Sequence, residues 1–246
     1  MKRYGLIGYP LSHSRSKVFF DELFVANGLN DSSYDNFAIE SEQQVRDFLL
    51  NDRGLCGLNI TSPYKRLAYE LCDELSNESA ETCSVNCIHF VAGRLIGYNT
   101  DVFGFVKSLG RLLDGKNVAT ALVLGTGGAA SAAMYGLKTL GIQGKMIGRR
   151  GNDFFPNGYS DISAAELASF SIIVNCTPLG TWPNIDECPL IDYSALHKDQ
   201  ILFDMVYNPE ITAFLGHGIS AGCMVKNGME MLKFQAMKAW EIWTSF

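Results

Sequence analysis

The strongest constraint on the fold is Ala121-Leu-Val-Leu-Gly-Thr-Gly-Gly-Ala-Ala-Ser131, where an apolar run of strand length breaks into glycines and then into small helix formers. It reads as strand, tight turn, helix. Gly125 allows the sharp turn, Gly127 lets backbone come close to a pyrophosphate, and Ala130 lets the helix pack near the strand. The first amides of a helix have no intrahelical partner and carry the positive end of its dipole. Gly125, Thr126, Gly127, Gly128 and Ala129 therefore form a cradle in which phosphate oxygens are stabilised. Glycine-rich turns of this kind also occur in helix-sheet proteins that bind nothing, so the meaning of this one depends on its surroundings.

After it the chain alternates. Strands at 121–124, 145–147, 172–175, 201–204 and 223–225 are separated by segments that read mostly as helices, which predicts a parallel, doubly wound sheet. The piece 148–160 holds glycines, Pro156 and two phenylalanines and reads as an irregular crossover. A last helix, 228–244, has no strand after it and is expected to pack back on the N-terminal part.

Before the glycine turn, Tyr4–Gly8 reads as a strand. A helix follows from about Ser16 to Asn27, with Gly28 as its stop. Ser41 and Gln44 have the form of a capping box. Leu55–Ile60 is a short strand, and Pro63 suits the first turn of a helix carrying Lys65. Segments 85–91 and 95–98 form a hairpin, and a helix from Asp101 closes at Asp114-Gly115-Lys116. The expected fold class is α/β in two domains: an N-terminal α/β domain (1–101) with a mostly parallel sheet and a Rossmann-type nucleotide domain (102–227). The C-terminal helix (228–246) completes the chain.

Composition excludes several function classes. A net charge of -6 over 246 residues gives no electrostatic footprint for nucleic acid or anionic lipid. No run of about 18 apolar residues occurs, and no signal peptide is visible, so a cytoplasmic protein is expected. Seven cysteines lack any Cys-x-x-Cys spacing, and His13, His89, His197 and His217 make no metal pattern. Reduced thiols and no metal site are therefore expected.

Four polar clusters stand at strand ends: Ser12-His-Ser-Arg-Ser16, Asn59-Ile-Thr-Ser-Pro-Tyr-Lys65, Ser84-Val-Asn86 and Asn99-Thr-Asp101. Singly, each has a local explanation. Ser14 or Ser16 caps a helix, Lys65 is a solvated side chain, Asn86 satisfies loop backbone, and Asp101 is the N-cap of the next helix. Their co-occurrence ahead of a nucleotide-type loop is what those explanations leave over, because ligands of open sheets gather at the carboxyl ends of strands.

With these clusters in this order, followed by Gly-Thr-Gly-Gly-Ala at 125–129, Asn-Cys-Thr-Pro-Leu-Gly at 175–180 and Asp-Met-Val-Tyr at 204–207, the chain resembles the shikimate dehydrogenase family over essentially its whole length. The resemblance implies an N-terminal substrate domain, a C-terminal NADP-binding domain and an active site in the cleft between them. It implies NADPH-dependent, reversible reduction of 3-dehydroshikimate to shikimate in aromatic amino-acid biosynthesis. Ser14, Ser16, Asn59, Thr61, Asn86, Asp101, Tyr207 and Gln235 would hold the substrate, and Thr177, Met205 and Gly228 would line the nicotinamide. Lys65 and Asp101 would be the catalytic pair. Reducing a ketone requires a positioned proton donor besides the hydride, and Lys65 is of the right type.

Cofactor choice rests on the end of the second nucleotide-domain strand, where Arg149 and Arg150 are suited to the 2′-phosphate of NADP. The family more often has Asn-Arg-Thr there, so Gly148 and Arg150 depart from its pattern, and Asp153 lies nearby. The small-molecule substrate and NADP(H) are the partners expected of a monomer or homodimer. Two alternatives stand beside this reading: a quinate/shikimate dehydrogenase with relaxed substrate or NAD use, and a non-catalytic ligand-sensing homologue. Retention of both Lys65 and Asp101 argues against the second.

Overall fold

A computed structural model describes residues 1–12, 14–51, 54–113, 116, 118–149 and 158–245. The chain divides into two units, Met1–Thr100 with Ala236–Phe246, and Asp101–Gln235.

The first unit runs β1 (Lys2–Gly8), α1 (Ser16–Ala26), β2 (Ser32–Ala38), α2 (Glu42–Asn51), β3 (Leu55–Ile60), α3 (Lys65–Leu71), β4 (Glu74–Leu75), α4 (Asn77–Thr82), β5 (Cys87–Val91) and β6 (Arg94–Tyr98). Its sheet has the order β2-β1-β3-β5-β6-β4. β1 pairs parallel with β2 and β3, and β4 pairs parallel with β6, while β5 runs antiparallel to both neighbours. Because successive strand side chains point to opposite faces, β1 sends Tyr4 and Leu6 into one apolar layer and Ile7 into another. The first layer joins Phe20 and Phe24 of α1; the second joins Val45 and Leu49 of α2 and Leu67 of α3.

At β2 and at the start of α3 the structure differs from the sequence expectation. β2 was not expected, since Tyr34 is the one buried side chain in Ser-Ser-Tyr-Asp-Asn-Phe-Ala and the strand lies at the sheet edge. Pro63 stands in a turn after a cis peptide bond, and α3 opens only at Lys65.

The second unit carries α5 (Thr100–Leu113), whose first residue belongs to the first unit, then β7 (Thr120–Leu124), α6 (Gly128–Thr139), β8 (Gln143–Ile147), α7 (Ala164–Ser169) and β9 (Ile172–Asn175). It continues with β10 (Ile201–Asp204), α8 (Ala213–Ser220), β11 (Met224–Lys226) and α9 (Met229–Thr244). All four strand pairs are parallel, in the order β11-β10-β9-β7-β8. Winding reverses between β7 and β9, which creates a switch point at their carboxyl ends. Both faces are covered. Ala121 and Val123 pack with Phe105, Ala130, Leu137 and Met231, and Leu122 and Leu124 with Leu167, Phe214 and Leu215.

α9 serves both units. Its Met231 lies in the Phe105 layer, while Ala236, Ala239 and Trp243 complete the Tyr4 layer of the first unit. Glu230 binds Arg111 at 2.7 Å and Ser108 at 3.3 Å, and also pairs with Lys226, which fixes the start of α9 on α5. Asp114 and Gly115 of the expected helix stop and most of the expected irregular crossover, including Asp153 and Pro156, lie outside the described residues.

Candidate active site

In the first unit, the polar residues named from sequence gather at the carboxyl ends of β1 and β3 and the amino ends of the following helices. Ser14 is half-buried, and its Oγ accepts the Ser16 N–H at 3.3 Å at the opening of α1. Asn59, on β3, is buried; its Oδ1 accepts from the Tyr34 hydroxyl at 2.8 Å and its Nδ2 donates to the Asn86 carbonyl at 3.3 Å. Thr61 follows directly, with its N–H on the Ile7 carbonyl at 2.8 Å. Lys65 is half-buried as the first residue of α3, and its carbonyl accepts the Val85 N–H at 3.0 Å.

Asn86 then ties this group to α5. Its Oδ1 accepts the Thr100 N–H at 2.7 Å and its Nδ2 donates to the Thr100 hydroxyl at 3.0 Å. The expectation that Asp101 is the N-cap is corrected by this geometry. The helix begins one residue earlier, the amide of Thr100 is satisfied by Asn86, and Asp101 is a buried residue in the first helical turn, 8% exposed. Asn99, next to Thr100, is turned away from the helix, donating to the Thr82 hydroxyl at 2.9 Å and the Ser84 carbonyl at 3.1 Å.

In the second unit the glycine turn leaves β7 at the switch point. Gly125 has φ +122, a conformation that a side chain strains, and a Cβ there would come within 3.3 Å of the Cys176 backbone at the end of β9. Gly127 is the N-cap of α6, and nothing lies within 4 Å of where its Cβ would be. Thr126 and Gly127 are exposed, and Gly128 and Ala129 half-buried. Open backbone over unpaired helix-start amides fits a pyrophosphate.

The neighbouring strand ends are built from one buried network. Asp204 closes β10 with its Oδ1 accepting from Asn175 at 3.0 Å and from the Val206 N–H at 2.9 Å, and its Oδ2 from the Thr212 hydroxyl at 2.6 Å. Asn175 in turn accepts the N–H and hydroxyl of Thr177 at 3.0 and 2.7 Å. Met205 and Gly228 are in contact: Gly228 donates to the Val206 carbonyl at 3.0 Å, and any Cβ on it would collide with the Met205 carbonyl oxygen. Burial first, then Asp204 and Asp101, push the Cys176 thiol well up, which favours its protonated form.

Arg149 is exposed just beyond β8, with its charge acting on the Tyr159 phenol, while Arg150 lies outside the described residues. Tyr207 and Gln235 are half-buried, and the Gln235 amide donates to the Leu232 carbonyl at 3.0 Å. Sequence reasoning gave no role to Tyr34, Thr100 or Asp204. The first sits in the strand that was not foreseen, and the other two were quoted only as parts of motifs.

The family model described as "Shikimate dehydrogenase substrate binding domain" matches residues 6–88. The shikimate dehydrogenase (NADP(+)) of Methanopyrus kandleri is 34% identical over 98% of this chain and 89% of its own length. The chain belongs to the shikimate dehydrogenase family. Among solved family structures, shikimate 5-dehydrogenase from Thermus thermophilus in complex with NADP(H) and shikimate is similar at a TM-score of 0.85 and 26% identity. It is covered to 94%, and all of this chain is matched. Quinate dehydrogenase from Corynebacterium glutamicum, in complex with NAD, gives the same TM-score of 0.85 at 27% identity, with 100% of this chain and 94% of that one covered. Among the described residues, no helix is long and apolar enough to cross a membrane and no group of His, Cys, Asp and Glu is placed to hold a metal ion.

Proposed function

We propose that this chain catalyses the reversible, NADP-dependent reduction of 3-dehydroshikimate to shikimate. The observation that carries the reading is the hydrogen-bonded run from Lys65 through Val85 and Asn86 to Thr100. It joins two separate motifs and sets Asp101 as the next residue on a helix start that Asn86 already satisfies. A sensing protein has no use for a positioned lysine of this kind; a ketone reductase needs one as proton donor.

In this reading Ser14, Ser16, Asn59, Thr61, Asn86, Tyr207 and Gln235 hold the carboxylate and hydroxyls of the substrate. Lys65 delivers the proton to the C3 oxygen, and Asp101 is its partner in that transfer and a hydroxyl acceptor. NADPH, when bound, supplies the hydride. Gly125 to Ala129 would take its pyrophosphate, Thr177, Met205 and Gly228 its nicotinamide end, and Arg149 with Arg150 its 2′-phosphate. The substrate-binding part is proposed to comprise 1–101, the nucleotide-binding part 102–227, and 228–246 the helix returning to the first.

The test is a set of steady-state constants with shikimate or quinate and with NADP+ or NAD+ at mildly alkaline pH, followed by reduced-nicotinamide absorbance. The expected result is higher kcat/KM for shikimate with NADP+ than for any other combination. Preference for quinate or for NAD+ would replace this reading with the quinate/shikimate one, and no turnover with any pair would leave the ligand-sensing one.

A further inference from the structure

We propose that Tyr34 is a positioning residue for the substrate: its hydroxyl sets the orientation of the Asn59 amide and so decides which group Asn59 offers to the ligand. The inference rests on the proposed substrate role of Asn59. Tyr34 is fully buried, its ring stacked on Phe20 at 4.4 Å between centroids and 9° between planes. Only its hydroxyl leaves the apolar layer, and it reaches Asn59 Oδ1 at 2.8 Å.

The direction of each hydrogen bond follows from the chemistry of the partners. The Asn86 carbonyl, 3.3 Å from Asn59, can only accept, so the end of the amide facing it is the NH2 group. Asn59 therefore turns its oxygen to Tyr34, and the phenol donates. Burial, the largest influence, and then Cys87 drive the Tyr34 phenol well up, so it keeps the proton it donates.

The run is thus Tyr34 to Asn59 to Asn86, and Asn86 continues to Thr100. Two side chains from separate motifs, Asn59 and Asn86, are held in a run that starts at a residue belonging to neither. Asn59 keeps its second N–H for a ligand oxygen, which a polyhydroxylated ring supplies.

Tyr34→Phe keeps the ring and its stacking and removes only the donor. Without it, Asn59 Oδ1 is buried with no partner and the amide can turn over. The shikimate KM is expected to rise about 3- to 10-fold, the effect of one lost hydrogen bond, with the NADP+ KM within about twofold. Because Tyr34 acts through Asn59, adding Asn59→Ala to Tyr34→Phe should raise the shikimate KM by less than Asn59→Ala does alone. An unchanged shikimate KM, parallel rises in both KM values, or full additivity of the two substitutions would overturn the inference. The NADP+ KM and thermal midpoint of the same preparation report the folded fraction, so a loss of fold is seen as such and counts against a positioning role. If the unaltered protein does not turn over shikimate, the proposed function fails and this inference with it; if it does and Tyr34→Phe behaves identically, only this inference fails.

Discussion

Asp204→Asn should make the protein more stable above neutral pH and flatten its pH dependence. Asp204 has no exposed surface, and burial pushes its carboxyl up from 3.8 to about 7, with the hydrogen bonds from Thr212, Val206 and Asn175 pulling back only in part. The folded value lies above the unfolded one, so between them the folded protein holds a proton that the unfolded chain releases. Stability from this group is then fully present below about pH 4 and is lost as pH rises through about 7. At about 1.36 kcal/mol per pKa unit the whole window is worth roughly 4 kcal/mol, of which roughly 2–3 falls between about pH 5 and about pH 8. The amide variant fits the same partners. Its oxygen replaces Oδ1, and its NH2 can donate to the Thr212 oxygen, which already accepts the Leu215 N–H at 3.2 Å and has a second lone pair. Urea unfolding of both proteins at the two pH values should show the variant's advantage widening by about 2–3 kcal/mol toward the higher one. A stability difference that is the same at both pH values would mean that Asp204 ionises as an ordinary carboxylate, and the reasoning would be refuted.

Three other outcomes are expected. Lys65→Ala should lower turnover by about 10² to 10⁴ with a smaller change in shikimate affinity; near-normal kcat would remove Lys65 from the chemistry. Trp243→Ala removes a ring stacked on Tyr4 at 5.1 Å and an indole donor on the Ile88 carbonyl at 2.9 Å. It should cost about 3–5 kcal/mol in urea unfolding, and a loss below about 1 kcal/mol would show that the layer closes without it. Gly228→Ala forces a Cβ against the Met205 carbonyl, so it should cost about 1–3 kcal/mol and raise the NADP+ KM more than the shikimate KM, as paired kinetic and thermal measurements would reveal.

How far the sequence exposes this fold depends on where the stabilising partners of each element lie. The central strands of the second unit, β7, β9 and β10, are apolar runs buried on both faces, so their pattern is carried by their own residues; Ile172–Asn175 and Ile201–Asp204 begin and end where the pattern says. β2 fails the same test because its neighbours do the work. It is held by seven register pairs to β1, while its own side chains are largely polar. The start of α5 fails for a similar reason. Local pattern assigns the cap to Asp101, but the capping atom comes from Asn86, fourteen residues away. α9 is divided by its partners as well: the sequence sets a boundary at 228, yet Met231 faces the Phe105 layer and the division falls after Gln235.

The same distinction separates what was legible in the site from what was not. The groups proposed to meet ligand stand in short motifs, because a ligand at a strand end is approached by consecutive residues of one loop. The groups that orient them are scattered, because an Asn amide or a buried carboxylate needs partners from other strands. Asp204 acts through Asn175 on β9 and Thr212 at the opening of α8, and Tyr34 on β2 acts on Asn59 of β3. The glycine turn itself gains meaning only at this level. Gly125 to Ala129 is a common pattern in isolation, but the strand order places β7 beside β9, so the turn faces the Cys176–Thr177 segment that Asn175 and Asp204 hold in place. The cofactor-binding role proposed for it draws on both the open helix start and this supported strand end. A substitution that loosens Asn175 should weaken NADP+ binding without touching any glycine.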